Sequence, residues 1–178
     1  GVTFSAAGTT GQRCTTLRRA FVHENIYKEF MEKLHAYYAT LKVGDPSDAS
    51  SQIGPLISER SFEDMQNVLM SLKNKDVKIF GGQRLEVGDP SEFYVMPAIV
   101  EVSQVEDEML SETFAPILYV KKFTDLKDAI HMQNNVKQGL SSSIFTNDMR
   151  ESELFLSSEG SDCGIANVNI GTSGAEIG

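Results

Sequence analysis

This chain has few cysteines, little positive charge and no long apolar run. Two cysteines, Cys14 and Cys163, stand among 178 residues. That is too few for a disulfide framework, and it fits a reducing compartment and a cytoplasmic location. Lysine and arginine number 16 against 25 aspartates and glutamates, for a net charge of −9. Phosphate neutralisation needs a clustered basic surface, so no nucleic-acid partner is expected. No apolar stretch approaches the roughly 20 residues that span a bilayer, so no membrane partner is expected either. Gly1 is not an initiator methionine, and no charged leader precedes an apolar core, so no signal peptide is visible. His23, His35 and His131 show no metal-ligand spacing, and no metal site is expected. The chain contains no G-x-G-x-x-G fingerprint, no internal repeat and no low-complexity tract.

What remains is an ordinary globular composition, 40% hydrophobic and 23% charged, in a chain long enough to bury one sizeable core. Strand and helix signals alternate. Leu17–His23 reads as a strand. A helix follows, capped by Asn25, with Ile26, Phe30, Leu34, Tyr37 and Leu41 at helical spacing, and Gly44-Asp45-Pro46 ends it. Ser58 can cap a second helix that carries Phe62, Met65, Leu69 and Leu72 on one face. Val77–Phe80 is a strand stopped by Gly81-Gly82. Tyr94–Val102 is extended around Pro97, which suits a strand start. Ile117–Val120 is a nearly unbroken apolar run, as in a strand covered on both faces. Helices are expected at Leu126–Asn134 and Met149–Ser157, and strands at Ser142–Phe145 and Gly164–Val168. The alternation predicts an α/β fold with an open, mostly parallel sheet flanked by helices.

The segment most suited to chemistry is Gly8-Thr9-Thr10-Gly11-Gln12-Arg13-Cys14-Thr15-Thr16. It sets a cysteine among small residues with an arginine beside it. The thiolate is the reactive form of cysteine, and nearby positive charge or oriented N–H groups favour it. Gly8 and Gly11 let the backbone come close to a substrate. The plainer alternative is a buried cysteine in a turn. Cys163 reads as an inert buried thiol. Arg18-Arg19 is too short a basic run to indicate more than a strand edge.

Gly11-Gln12-Arg13-Cys14-Thr15-Thr16 resembles the nucleophile segment of the aldehyde dehydrogenase superfamily. Glu112-Thr113-Phe114-Ala115-Pro116 resembles its Glu-x-Phe-Gly-Pro segment, with Ala115 in place of glycine as in one branch. Val43-Gly44-Asp45-Pro46 and Gly54-Pro55-Leu56 are similar to two further landmarks. The tail, Asn167-Val168-Asn169 and Thr172-Ser173-Gly174-Ala175-Glu176-Ile177-Gly178, resembles that same branch, antiquitin, the α-aminoadipic semialdehyde dehydrogenases. The motifs keep the family's order over the whole chain.

The resemblance implies NAD-dependent oxidation of an aldehyde to a carboxylate. Cys14 would be the nucleophile, forming a thiohemiacetal and then a thioester. Its backbone N–H would supply one oxyanion donor. Glu112 would bind the ribose hydroxyls of NAD, and Phe114 would pack on the ribose and nicotinamide. Arg13 with Ser173, Gly174 and Ala175 would hold the distal carboxylate of the substrate. The general base and the second oxyanion donor belong to family segments not in this chain. Residues 1–178 are thus expected to be a catalytic domain, without the cofactor-binding domain and inactive alone, from an enzyme that forms a homo-oligomer. Three alternatives remain: an aldehyde dehydrogenase of another substrate, a cysteine hydrolase, and a noncatalytic assembly module.

Overall fold

A computed structural model describes residues 1–174. In chain order the elements are α1 (Val2–Ala7), β1 (Arg19–His23), α2 (Glu24–Ala39), α3 (Glu59–Leu72), β2 (Val77–Phe80), β3 (Ala98–Val102) and α4 (Asp107–Leu110). They continue with β4 (Ile117–Phe123), α5 (Leu126–Asn134), β5 (Ser141–Ile144), α6 (Met149–Leu156) and β6 (Ile165–Val168). Four strands form one sheet in the order β1-β4-β3-β2, and β5 pairs with β6 in a second. β1, β4 and β3 run parallel, with Tyr119 opposite both Arg19 and Val100, and β5 and β6 are parallel too. Only β2 is antiparallel, its Ile79 opposite Val100.

The apolar run of β4 needs cover on both faces, because successive side chains point to opposite sides of a sheet. Ile117 and Tyr119 pack with Ala98, Val100 and Val102 of β3 against Met65, Leu69 and Leu72 of α3. Leu118 and Val120 pack with Ile99 and Val22 against Met31, Leu34 and Tyr38 of α2, and Ala6 of α1 joins this second cluster. The result is the expected open, mostly parallel α/β sheet between helical layers.

Local chemistry sets the ends of the elements. The Ser58 hydroxyl accepts from the Ser61 N–H and starts α3 as expected. Asp125 caps α5 and Asp148 caps α6 in the same way. The start of α2 differs from the expectation. His23, not Asn25, is the cap, its Nδ1 accepting from the Asn25 N–H at 3.2 Å, because β1 runs into α2 without a loop. The buried stripe of α2 also differs. Ile26 and Tyr37 are 54% and 64% exposed, while Met31, Leu34 and Tyr38 are buried. Leu34 belongs to both stripes, and Phe30 and Leu41 of the expected one still pack against the buried cluster, so only its Ile26 and Tyr37 turn outward. The helix ends at Ala39, before Gly44. The helices α1 and α4 have no counterpart in the sequence reading; six and four residues are too short to show a period.

Leu118 is fully buried at the centre of the main sheet. Leu118→Ala is expected to lower unfolding stability by about 2–5 kcal/mol, the usual range for such a truncation. Chemical denaturation measures it, with the Leu156→Ala change at a half-exposed position as the control of small effect.

Candidate active site

The cysteine segment begins on an unusual backbone. Thr9, Thr10 and Gly11 take φ values of 53°, 55° and 66°, three left-handed residues in a row. Glycine accepts this freely, whereas each threonine costs about 1–2 kcal/mol there. Gly11 has a second reason to be glycine. A Cβ on it would lie 2.5 Å from the carbonyl of Ala115 and the nitrogen of Pro116. The turn is held from a distant part of the chain. The buried Thr10 hydroxyl donates to the Gly54 carbonyl at 2.8 Å. The Gln12 amide donates to the Pro55 carbonyl at 3.4 Å and accepts from the Ile57 N–H at 2.9 Å. The Gly54-Pro55-Leu56 landmark is therefore the base on which the cysteine segment rests.

Cys14 sits on the next turn. The Thr16 N–H donates to the Arg13 carbonyl, and the Arg13 N–H donates to the Thr16 hydroxyl, each at 3.1 Å. This closes a four-residue turn with Cys14 at its second position and its side chain exposed. Among the described residues no acceptor takes the Cys14 backbone N–H, which leaves it for a developing oxyanion. Arg13 lies beside the turn. Its Nε donates to the Thr9 hydroxyl at 2.7 Å, and its guanidinium carbon is 5.9 Å from the centre of the Phe4 ring.

Arg18 joins this turn to Glu112-Thr113-Phe114-Ala115-Pro116. One terminal nitrogen donates to the carbonyls of Thr113 at 2.6 Å and Ala115 at 3.3 Å; the other donates to the Gly11 carbonyl at 3.2 Å. Its Nε faces the Glu112 carboxylate at 3.6 Å, and its carbon lies 4.8 Å from the Phe114 ring centre. Burial pushes the Arg18 pKa down, and the Glu112 charge opposes that shift. Glu112 and Phe114 are 41% and 46% exposed, so a carboxylate and an aromatic ring are presented to solvent by one buried guanidinium.

Cys14, Thr16, Arg18, Glu112 and Thr172 share a cleft of about 560 Å³, and Arg13 is not part of its lining. The facing stretches of β1 and β5 also line this cleft, where the parallel order of the strands is interrupted. The Thr172–Gly174 turn packs directly on the cysteine turn. Both the Thr172 and the Ser173 hydroxyls donate to the Thr15 carbonyl, at 2.8 and 3.1 Å. Ser173 is buried, and Ala175 lies outside the described residues. Cys163, expected to be buried, is half-buried and lines the same cleft, its Sγ 3.6 Å from the Gln133 amide nitrogen. Two histidines are engaged elsewhere. His23 also lines the cleft, but its Nδ1 caps α2 and its ring meets Phe123 edge-on, while His35 lies outside the lining and faces Glu101 at 3.4 Å. Among the described residues no cluster of His, Cys, Asp and Glu could hold a metal ion.

Arg18, Gln12 and Thr10 are the structural keys that residue spacing does not reveal. The usable signal for Arg18 is its setting between Leu17 and Ala20 at the start of a strand, where a charge is buried only if it finds partners. Apart from the Gly11 carbonyl, its partners come from about 95 residues away in sequence.

Comparison with known proteins identifies the family. The model of the aldehyde dehydrogenase family matches residues 1–177, and the chain belongs to that family. It is 45% identical over 175 residues to aldehyde dehydrogenase family 7 member A1 of Pisum sativum, covering 98% of this chain and 34% of that protein. It is also 45% identical to alpha-aminoadipic semialdehyde dehydrogenase of Mus musculus, covering 99% of this chain and 33% of that one. Among solved structures, 3,6-anhydro-L-galactose dehydrogenase in complex with NAP superposes with a TM-score of 0.91 at 29% identity, over 99% of this chain and 37% of that chain. The chain spans about a third of the length of the curated relatives it matches.

Cys14 is exposed and Cys163 half-buried, so brief iodoacetamide treatment should label Cys14 first. Peptide mass mapping reads the order. Equal labelling, or Cys163 first, contradicts the assignment of Cys14 as the nucleophile.

Proposed function

We propose that this chain is the thiol-bearing portion of an NAD(P)-dependent dehydrogenase that oxidises an aldehyde with a distal carboxylate, α-aminoadipic semialdehyde being the favoured substrate. One observation carries the reading: a single guanidinium sets an exposed cysteine turn beside an exposed carboxylate and aromatic ring. The name of the mouse relative, at 45% identity, supports the substrate.

Glu112 and Phe114 fit the nucleoside end of a dinucleotide. An ionised carboxylate accepts two hydroxyl donors from a ribose diol, and the exposed ring offers a flat apolar face. When bound, NAD supplies an acceptor for hydride. The rest is the work of this chain. The Cys14 thiolate forms a C–S bond to the aldehyde carbon. The Cys14 N–H donates to the oxygen that becomes negative, in a turn already closed before substrate arrives. Once the thiohemiacetal carbon has been oxidised, Cys14 holds a thioester. Water attacks its carbonyl, the carboxylate product leaves, and the Cys14 thiolate is regenerated. The general base for that water is assigned to a segment that this chain does not contain, and the isolated chain should be inactive.

Substrate choice rests on Arg13 and on the Ser173-Gly174-Ala175 stretch. Arg13 stands outside the cleft lining, beside the cysteine turn; it commits Nε to Thr9, and its guanidinium has four further N–H groups to offer an anion there. The Thr172–Gly174 turn adds backbone N–H groups beside the nucleophile. In the dehydrogenase that carries this chain, kcat/KM should favour α-aminoadipic semialdehyde over hexanal. Arg13→Ala should lower only the acidic substrate's value, by roughly 10- to 100-fold, the loss expected for a charged hydrogen bond. Preference for hexanal, or equal slowing of both substrates, would defeat the acidic-substrate reading and leave an aldehyde dehydrogenase of other specificity.

A further inference from the structure

Arg18 lies outside the chemistry described above, yet all of its donors converge on two functional segments. It is only 16% exposed, and a guanidinium this buried requires partners. Three of its contacts are backbone carbonyls, those of Gly11, Thr113 and Ala115, and together they fix the plane of the fork. With the fork fixed, Nε points at Glu112. The separation of 3.6 Å is longer than a hydrogen bond, so Arg18 acts on Glu112 mainly through charge. The carboxylate is held in place, and its half-exposed oxygens remain open to outside donors. The same guanidinium carbon stands 4.8 Å from the centre of the Phe114 ring, so it steers both side chains at once.

The geometry points to Arg18 as a positioning residue for the nicotinamide cofactor: it presets Glu112 for a ribose diol and Phe114 for the adjoining ring. This rests on the NAD reading of Glu112 and Phe114 given above. Its physical advantage is preorganisation. A carboxylate on a short surface turn would otherwise sample many rotamers, and each would have to be frozen on binding. The ion pair carries that ordering before the ligand arrives. Arg18 also gives the Cys14 turn and the cofactor segment a common reference, since Gly11 and Thr113 bond to one rigid group.

The test is a double-mutant cycle on NAD affinity, measured by calorimetry without aldehyde in the dehydrogenase that carries this chain. Glu112→Gln should weaken the Kd for NAD by about tenfold or more, and Arg18→Gln should do the same. The losses should fall well short of multiplying in the double variant, because Arg18 acts largely through this carboxylate and only its Phe114 contact remains to be lost in the Glu112→Gln background. Arg18→Lys keeps a cation near Glu112 but loses the fork, and it should recover most of the affinity lost in Arg18→Gln. If Arg18→Gln does not fold, Arg18→Lys takes its place in the cycle, where its smaller loss should shrink further in the Glu112→Gln background. Losses that multiply, a lysine variant as weak as the glutamine one, or an unchanged Kd in all Arg18 variants while Glu112→Gln is weakened, overturn the role of Arg18 alone. An unchanged Kd in Glu112→Gln overturns both this role and the cofactor reading beneath it.

Discussion

The structure around Cys14 depends on one buried guanidinium. Arg18 enters from the start of β1 and bonds the carbonyls of Gly11, Thr113 and Ala115. The close approach of Gly11 to the Ala115–Pro116 peptide joins the same two segments. A planar fork with five N–H groups can serve several carbonyls and face a carboxylate at once. A lysine in the same place could face the carboxylate but could not span the three carbonyls. The burial of Arg18 is tolerated because each side of the fork meets an oxygen.

A second constraint sets the height of the nucleophile. Three consecutive left-handed residues turn the chain sharply before Cys14, two of them threonines that resist the conformation. Residues held in such regions persist when surrounding contacts over-determine them, and they gather at functional sites. Here the surrounding contacts are visible. Thr10 and Gln12 bond to Gly54, Pro55 and Ile57, and the Thr9 hydroxyl accepts from Arg13. The neighbouring Thr15 carbonyl accepts the hydroxyls of Thr172 and Ser173 from the far end of the chain. Three distant stretches, residues 54–57, 113–116 and 172–173, thus converge on one short turn.

Much of this architecture is legible in the sequence. The apolar run at Ile117–Val120, the Ser58 cap and the helix at Leu126–Asn134 follow from composition and spacing, because those signals are local. The buried stripe of α2 is not legible, since Ile26–Tyr37 and Met31–Tyr38 are equally periodic and tertiary context chooses between them. At the site, the motifs single out Cys14, Glu112 and Phe114, yet they do not show what joins them. Arg18 reads as half of a basic pair because its partners are carbonyl groups, and backbone oxygens leave no trace in a residue pattern. The exposure of Cys163 along the same cleft is hidden for a similar reason: it depends on where β1 and β5 stand relative to each other.

The central claim is that Arg18 couples the cysteine turn to the Glu112 segment. Amide hydrogen exchange tests it most directly, by comparing the native chain with Arg18→Gln in peptides covering residues 9–17 and 111–117. The account predicts that both peptides exchange faster together in the variant, while peptides from β2, at the opposite edge of the main sheet from β1, stay unchanged. Faster exchange in only one of the two segments, or in neither, would contradict it.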